Sequence, residues 1–252
     1  MPVQDDERER ELVRMFNLEW DPAHQRAGVD ALLDVDVDGR SYRFEVEVKS
    51  STGSTVSTAR DVGMDHIQKW RRKLFVFGFY SKEARRPELQ HCLCLTPLDM
   101  EPWIASIEAK ILMDFKLALV ASRRLELADL FEICGEQETY SLTDAKRLHK
   151  QQWSRDQYVD AQDIEADGQR RLSQTKMLEI LRHRSKYIAE RGATLNNPHI
   201  TRTHLATFSG TNRVVRGPHW AAGVRQIAVE FCTANSGHPA IVDRQVAQAL
   251  RF

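Results

Sequence analysis

Apolar and polar residues alternate from residue 30 to residue 49, with one interruption at Asp38-Gly39. One face of this segment reads Ala31, Leu33, Val35, Val37, Tyr42, Phe44, Val46 and Val48. The other reads Asp30, Leu32, Asp34, Asp36, Ser41, Arg43, Glu45, Glu47 and Lys49. A period of two belongs to a half-buried strand, and Asp-Gly accepts the positive φ that a type I′ turn requires at both central positions. The pattern therefore predicts a hairpin with strands over 30–37 and 41–49. If the loop is two residues long, the numbers of facing residues add to 77 and Asp30 lies across from Glu47. A loop longer by two would preserve both faces and slide Asp30 to Lys49, whereas an odd loop would need a bulge.

Beyond the hairpin, the patterning predicts a helix over 6–16 capped by Asp6, a helix over 58–72, and strands KLFVFGFY (73–80) and HCLCL (91–95). Helical spacing follows over 98–134 and 143–160. The polar segment VDAQDIEADGQ, 159–169, contains an Asp-Gly pair and marks a boundary between regions 1–160 and 170–252. Past it, Ser173 caps a helix running to Arg191 and ended by Gly192, with Met177, Leu178, Leu181 and Ile188 inward. Helices fit 220–234 and 242–251, and NRVVRG between them reads as a short strand or wing. The order of elements is mixed α/β.

A hydrophobic content of 42% with 29% charged residues in 252 excludes a disordered or fibrous chain. No apolar run reaches the length that spans a bilayer, and the acidic opening MPVQDDERERE is unlike a signal peptide. A cytoplasmic protein without membrane contact is expected. The four cysteines are too few and scattered for a disulfide framework; Cys92 and Cys94 share one strand face and read as buried thiols rather than half a metal site. The net charge of zero argues against a nucleic-acid partner only until its distribution is read. Residues 169–225 carry eleven basic residues against two acids, and residues 1–49 thirteen acids against seven basic residues. Two regions of opposite charge imply two different tasks.

The hairpin offers the candidate chemistry. Carboxylates directly opposite on neighbouring strands have Cβ atoms about 4.5–5.5 Å apart, and they repel unless a proton or cation lies between them. Mg²⁺ suits such an oxygen pair. Lys49, on the same face, can orient or deprotonate a water or stabilise charge developing on phosphate. The plainer alternative is a solvated strand face. Glu45 rivals Glu47 for the acidic role, but its spacing to Lys49 ranks it second. Glu9 lies near the apolar side formed by Leu12, Val13 and Phe16 and can approach the sheet, but a capping or surface role is expected of it first. His66, Gln68 and Lys69 are placed to approach phosphate, with Trp70 in the core.

Asp30, a hairpin, Glu47-Val48-Lys49, then a helix and an apolar strand together resemble the PD-(D/E)xK nuclease superfamily, above all its restriction endonucleases. The resemblance covers residues 5–96 and departs at Val29, where the family has proline. It implies a core sheet flanked by helices, a Mg²⁺-dependent phosphodiesterase, metal ligands at Asp30 and Glu47, and a catalytic lysine at Lys49.

The basic region is expected to be mostly helical, with a winged helix as one form, and to face DNA phosphates. Arg182 and Lys186, one helical turn apart, suit neighbouring phosphates. The loop GATLNNPHITRTHL concentrates Asn196, Asn197, His199, Ile200, Thr201 and Arg202, whose side chains can read bases or contact a 5-methyl group. The other reading of this loop is a turn with Asn in the left-handed conformation, followed by a short strand. The domain order and RGATLNNPHITRTH resemble the BisI-like modification-dependent restriction endonucleases. That resemblance implies a homodimer cleaving double-stranded DNA with 5-methylcytosine in a GCNGC context. The alternatives are a restriction enzyme for unmodified DNA, a repair or recombination nuclease, and a DNA-binding regulator with a silent nuclease fold.

Overall fold

In a computed structural model of the chain, which describes residues 3–20, 30–82 and 87–249, the hairpin has the two-residue loop. Asp38 and Gly39 take φ values of 50° and 78°, as a type I′ turn requires. The flanking strands are β2 (Ala31–Val37) and β3 (Arg40–Ser51), which follow α1 (Val3–Met15) and β1 (Glu19–Trp20). Ala31 pairs with Val46 and Val37 with Arg40, so the register of the short loop holds throughout.

The chain continues through β4 (Val56–Ser57), α2 (Met64–Trp70), β5 (Lys73–Tyr80), β6 (Leu89–Leu95), α3 (Pro97–Arg123) and α4 (Leu127–Cys134). Then come β7 (Thr139–Tyr140), α5 (Leu142–His149), α6 (Arg155–Asp160), β8 (Ile164–Ala166), β9 (Gln169–Ser173) and α7 (Gln174–Gly192). The last elements are β10 (His199–Ile200), α8 (Arg202–Ala206), β11 (Val214–Val215), α9 (Trp220–Ala234), β12 (Val242–Asp243) and α10 (Arg244–Ala249). The fold is mixed α/β. Its main sheet has the order β1-β2-β3-β5-β6-β11, with β12 also on β3. The β3–β5 pair is parallel and the β5–β6 pair antiparallel.

Both faces of this sheet are apolar where they are covered. Leu12, Val13 and Phe16 of α1 join Val224, Ile227, Ala228 and Phe231 of α9 against Leu33, Phe44, Val46, Val48, Leu74 and Val76. Each such side chain, fully buried, contributes about 1.5–3 kcal/mol. Gly78 lets α1 come close: a Cβ there would stand 2.7 Å from Leu12 Cδ2. On the opposite face Phe75, Phe77, Leu93 and Leu95 are buried as well. Trp70 and Trp103 pack with ring centroids 5.1 Å apart, placing Trp70 in the core as expected. Cys92 and Cys94 are buried thiols.

The compact units do not follow the boundary expected at 160–170. One unit comprises Met1–Ala109 with Leu195–Phe252, and the other Lys110–Thr194. In the first, the chain returns to the main sheet: β10 pairs with β4, β11 with β6, and β12 with β3. NRVVRG thus supplies a strand of the main sheet. The second unit has its own core, including Leu130, Tyr140, Tyr158, Leu172, Met177, Ile180 and Leu181.

Several element boundaries also differ. The first helix begins at Val3, so Asp6 lies within it and does not cap it. The expected helix over 58–72 is confined to Met64–Trp70, because Val62 is drawn into an antiparallel bridge with Leu195. Lys150 and Gln151 adopt positive φ and break the helix expected over 143–160, and the 98–134 pattern divides at Glu126, which stands just before α4 with its N–H donating to Asp129 Oδ2. The segment expected as helix from 242 starts as β12. Ser173 does cap α7, accepting from the Lys176 N–H. Met177, Leu178 and Leu181 point into the core, but Ile188 is 56% exposed, since the unit's buried cluster reaches along α7 only as far as Leu181. Among the described residues no helix is long and apolar enough to cross a membrane.

Candidate functional site

The register that pairs Ala31 with Val46 puts Asp30 at the position facing Glu47. Oδ2 of Asp30 accepts from the Val48 N–H at 3.0 Å and from Nζ of Lys49 at 3.0 Å. Lys49 Nζ also donates to the Val48 carbonyl oxygen at 3.0 Å and lies 3.6 Å from Oε1 of Glu47. The three expected residues are therefore brought together. Their side chains are only 13–18% exposed.

Two further residues complete the cluster. Glu9, expected as a cap or surface group, lies with Oε1 3.5 Å from Lys49 Nζ. It stands one turn before Leu12, whose close contact with Gly78 seats α1 on the sheet. Lys73 was not anticipated. It opens β5, is 4% exposed, and donates to Oε2 of Glu47 at 2.7 Å. The signal available in the sequence was a basic residue at the head of an otherwise apolar strand, since a buried ammonium requires an acidic partner. Glu45 is exposed.

The electrostatics follow from burial among like charges. Burial, then the neighbouring charge of Glu47, pushes the Asp30 carboxyl up against the pull of Lys49 and the Val48 N–H. Burial pushes the Glu9 carboxyl up to about 7, with Lys49 opposing the shift and Asp30 and Glu47 adding to it. Burial also works against the charge of Glu47, yet Lys49 and Lys73 together hold its carboxyl below the ordinary range. Burial disfavours the Lys49 ammonium, but Glu47, Asp30 and Glu9 outweigh it and hold the group well above the usual lysine range. In this state Lys49 is a hydrogen-bond donor and a positive charge beside the carboxyl groups.

Lys49 lies between the carboxyl groups, and among the described residues no group of three or more His, Cys, Asp or Glu side chains is arranged to hold a metal ion. The oxygen donors of Asp30 and Glu47 are nonetheless of the type Mg²⁺ takes. Three carboxyl groups meet two ammonium groups, leaving room in the charge balance for a cation. His66 is half-buried with Nδ1 3.3 Å from the Gly63 N–H, and burial followed by the charge of Lys69 pushes its imidazole down. Gln68 and Lys69 are exposed. Val29 lies outside the described residues.

The expected DNA-facing residues fall in both units. Of the eleven basic residues in 169–225, seven lie in the second unit and four in the first. Most are engaged within the protein. Arg182 donates Nε and Nη2 to the Leu125 carbonyl oxygen at 3.0 and 2.7 Å, and Lys186 pairs with Glu190 at 3.4 Å. Arg170, Arg171 and Arg225 bind backbone carbonyls; Lys176 and Arg213 bind Glu179 and Asp99; Arg184 lies over the Tyr187 ring. The side chains of Arg191, Arg202 and Arg216 make no hydrogen bond or ion pair among the described residues. Arg182 is thus engaged within its unit, whereas Lys186, in a partly exposed i,i+4 pair, stays open to solvent.

The Asn-rich loop has the turn-and-strand form. Asn197 takes φ 50°, and His199 and Ile200 pair with Ser57 and Val56. Asn196, His199, Thr201 and Arg202 are exposed, and Asn197 is half-buried. Ile200 is 1% exposed, so its side chain packs in the protein and is closed to a base methyl group. Thr201 caps α8 by accepting from the His204 N–H. From Leu195 onward this loop belongs to the same compact unit as Asp30, Glu47 and Lys49. No family model matches the chain, and no curated protein or solved structure matches it significantly.

Proposed function

We propose that the chain is a Mg²⁺-dependent endonuclease that hydrolyses double-stranded DNA with a PD-(D/E)xK-type site. The observation carrying this reading is the juxtaposition of Asp30, Glu47 and Lys49, largely shielded from solvent, by a hairpin register set independently of them. Asp30 and Glu47 would hold the cation. When bound, Mg²⁺ supplies polarisation of the phosphate and a more acidic water. Lys49 stabilises negative charge on the phosphoryl oxygens as water oxygen joins phosphorus and the P–O3′ bond breaks. Glu9, with its carboxyl near 7, can exchange a proton at neutral pH. The water's protons pass to that base and to the departing 3′ oxygen, leaving a 5′-phosphate.

Recognition is assigned to exposed Asn196, His199, Thr201 and Arg202, with Asn197 beside them, in the unit that carries the site. Preference for 5-methylcytosine in a GCNGC context, and a two-fold dimer bringing one site to each strand, are the finer part of the proposal. The test is incubation of methylated and unmethylated plasmid with the protein and Mg²⁺. Linearisation of methylated plasmid alone supports the full reading. Equal cutting would leave a restriction enzyme for unmodified DNA, and selective action on branched or nicked DNA a repair nuclease. A protein that binds DNA but leaves every substrate intact would be a regulator, and the enzyme reading would be wrong.

A further inference from the structure

Among the described residues Lys73 is the one Lys, Arg, Asp or Glu that is buried, at 4% exposure. Removing an ammonium from water is costly unless a well-placed partner compensates. Its surroundings along β5 offer none, for the strand continues Leu74, Phe75, Val76 and Phe77, all buried. In the parallel ladder Lys73 is paired with Glu45, whereas Glu47 is paired with Phe75. The side chain passes over its own ladder partner and reaches the next acid on that face, 2.7 Å from Glu47 Oε2. Glu45 remains exposed.

The two oxygens of Glu47 thereby have different neighbours. Oε2 is held by Lys73 from within the sheet, and Oε1 faces Lys49, 3.6 Å away, on the side where Asp30 also meets that lysine. A glutamate has three side-chain torsions to be fixed. A charge-assisted bond to a lysine that cannot itself swing into solvent limits them strongly.

We infer that Lys73 is a positioning residue for the candidate site: it anchors Oε2 of Glu47 so that Oε1 is presented beside Asp30 and Lys49. The inference rests on the nuclease reading. Lys73 is too deeply buried to touch DNA, so its contribution appears in turnover rather than in substrate affinity.

The test compares the full chain with Lys73→Met, of similar length and apolar, and with Lys73→Gln, which keeps a neutral donor. Plasmid cleavage supplies kcat and KM, and calorimetric titration of Mg²⁺ into metal-free protein supplies a readout apart from turnover. Lys73→Met is expected to lower kcat at least tenfold, leave KM for DNA within twofold, and weaken Mg²⁺ binding. Lys73→Gln should fall between it and the wild type, and is read by the same criteria if Lys73→Met does not fold. Wild-type kcat and Mg²⁺ affinity in a folded variant with lowered Tm would make Lys73 a structural residue and overturn the inference. So would a change confined to KM. A wild-type protein inert on every DNA substrate is the separate result that removes the nuclease reading and this inference with it.

Discussion

Nζ of Lys49 stands 3.0 Å from Oδ2 of Asp30, although a whole hairpin separates them in the chain. The contact exists because two strands of matched pattern close on a two-residue turn. It also sets the charge state of the site, since a lysine ringed by Glu9, Asp30 and Glu47 stays an ammonium.

Asp30→Ala, Glu47→Ala and Lys49→Ala should each reduce DNA cleavage by about a hundredfold or more, the usual scale for losing a charge-stabilising group. On the nuclease reading DNA affinity should change little, because phosphate contacts away from the reacting bond carry most non-specific affinity in DNA-binding proteins. Cleavage assays alongside gel-shift titrations separate the two. Retention of activity by any of the three variants counts against its assigned role.

Arg182 and Arg202 should behave differently. Loss of the two bonds from Arg182 to the Leu125 carbonyl is expected to cost about 1–3 kcal/mol of stability. The salt dependence of DNA binding should not move. Arg202→Ala should leave Tm unaltered and lower the slope of log affinity against log salt by about 1. Thermal melts and binding titrations at several salt concentrations decide this, and equal slopes for all three proteins would remove Arg202 from the interface.

Ile200→Ala is expected to act through packing. Truncating an isoleucine that is 1% exposed leaves a cavity and costs about 2–5 kcal/mol. The ratio of cleavage on methylated to unmethylated DNA should stay the same below the variant's Tm. A changed ratio would mean that the loop opens and offers Ile200 to the base after all.

Acid should weaken the second unit through His149. This ring is 0% exposed, with Nε2 2.7 Å from His183 Nδ1 and Nδ1 3.1 Å from the Tyr158 hydroxyl. Burial, then the charges of His183 and Arg184, lowers its pKa to about 4. Between about 6.5, where an unfolded histidine titrates, and that value, the unfolded chain holds more protons than the native one, so stability falls as pH falls. The contribution is complete above the unfolded value and disappears as pH drops through the folded one. Melting the wild type and His149→Gln from pH 7 to pH 4 should show a flatter profile for the variant; equal slopes would exclude His149 as the source.

The hairpin and the face shared by Asp30, Glu47 and Lys49 were legible in the sequence because they are local, and the two-residue loop then fixed the register among the two that kept those faces. A period of two and an Asp-Gly turn determine which side chains share a face, whatever the rest of the chain does. The strand KLFVFGFY and the cap at Ser173 were legible for the same reason. Long-range packing decided the rest. Glu9 reaches Lys49 because Gly78 admits Leu12, and Lys73 meets Glu47 because β5 runs parallel to β3. Four of the basic residues expected to face DNA, Arg171, Arg182, Arg213 and Arg225, are instead bound to carbonyls or carboxylates distant in sequence. Residues 195–252 return to the main sheet through β10, β11 and β12, short strands that take their identity from their partners. A repeating pattern shows which face a side chain occupies; only the folded chain determines which groups, far apart in sequence, meet across that face.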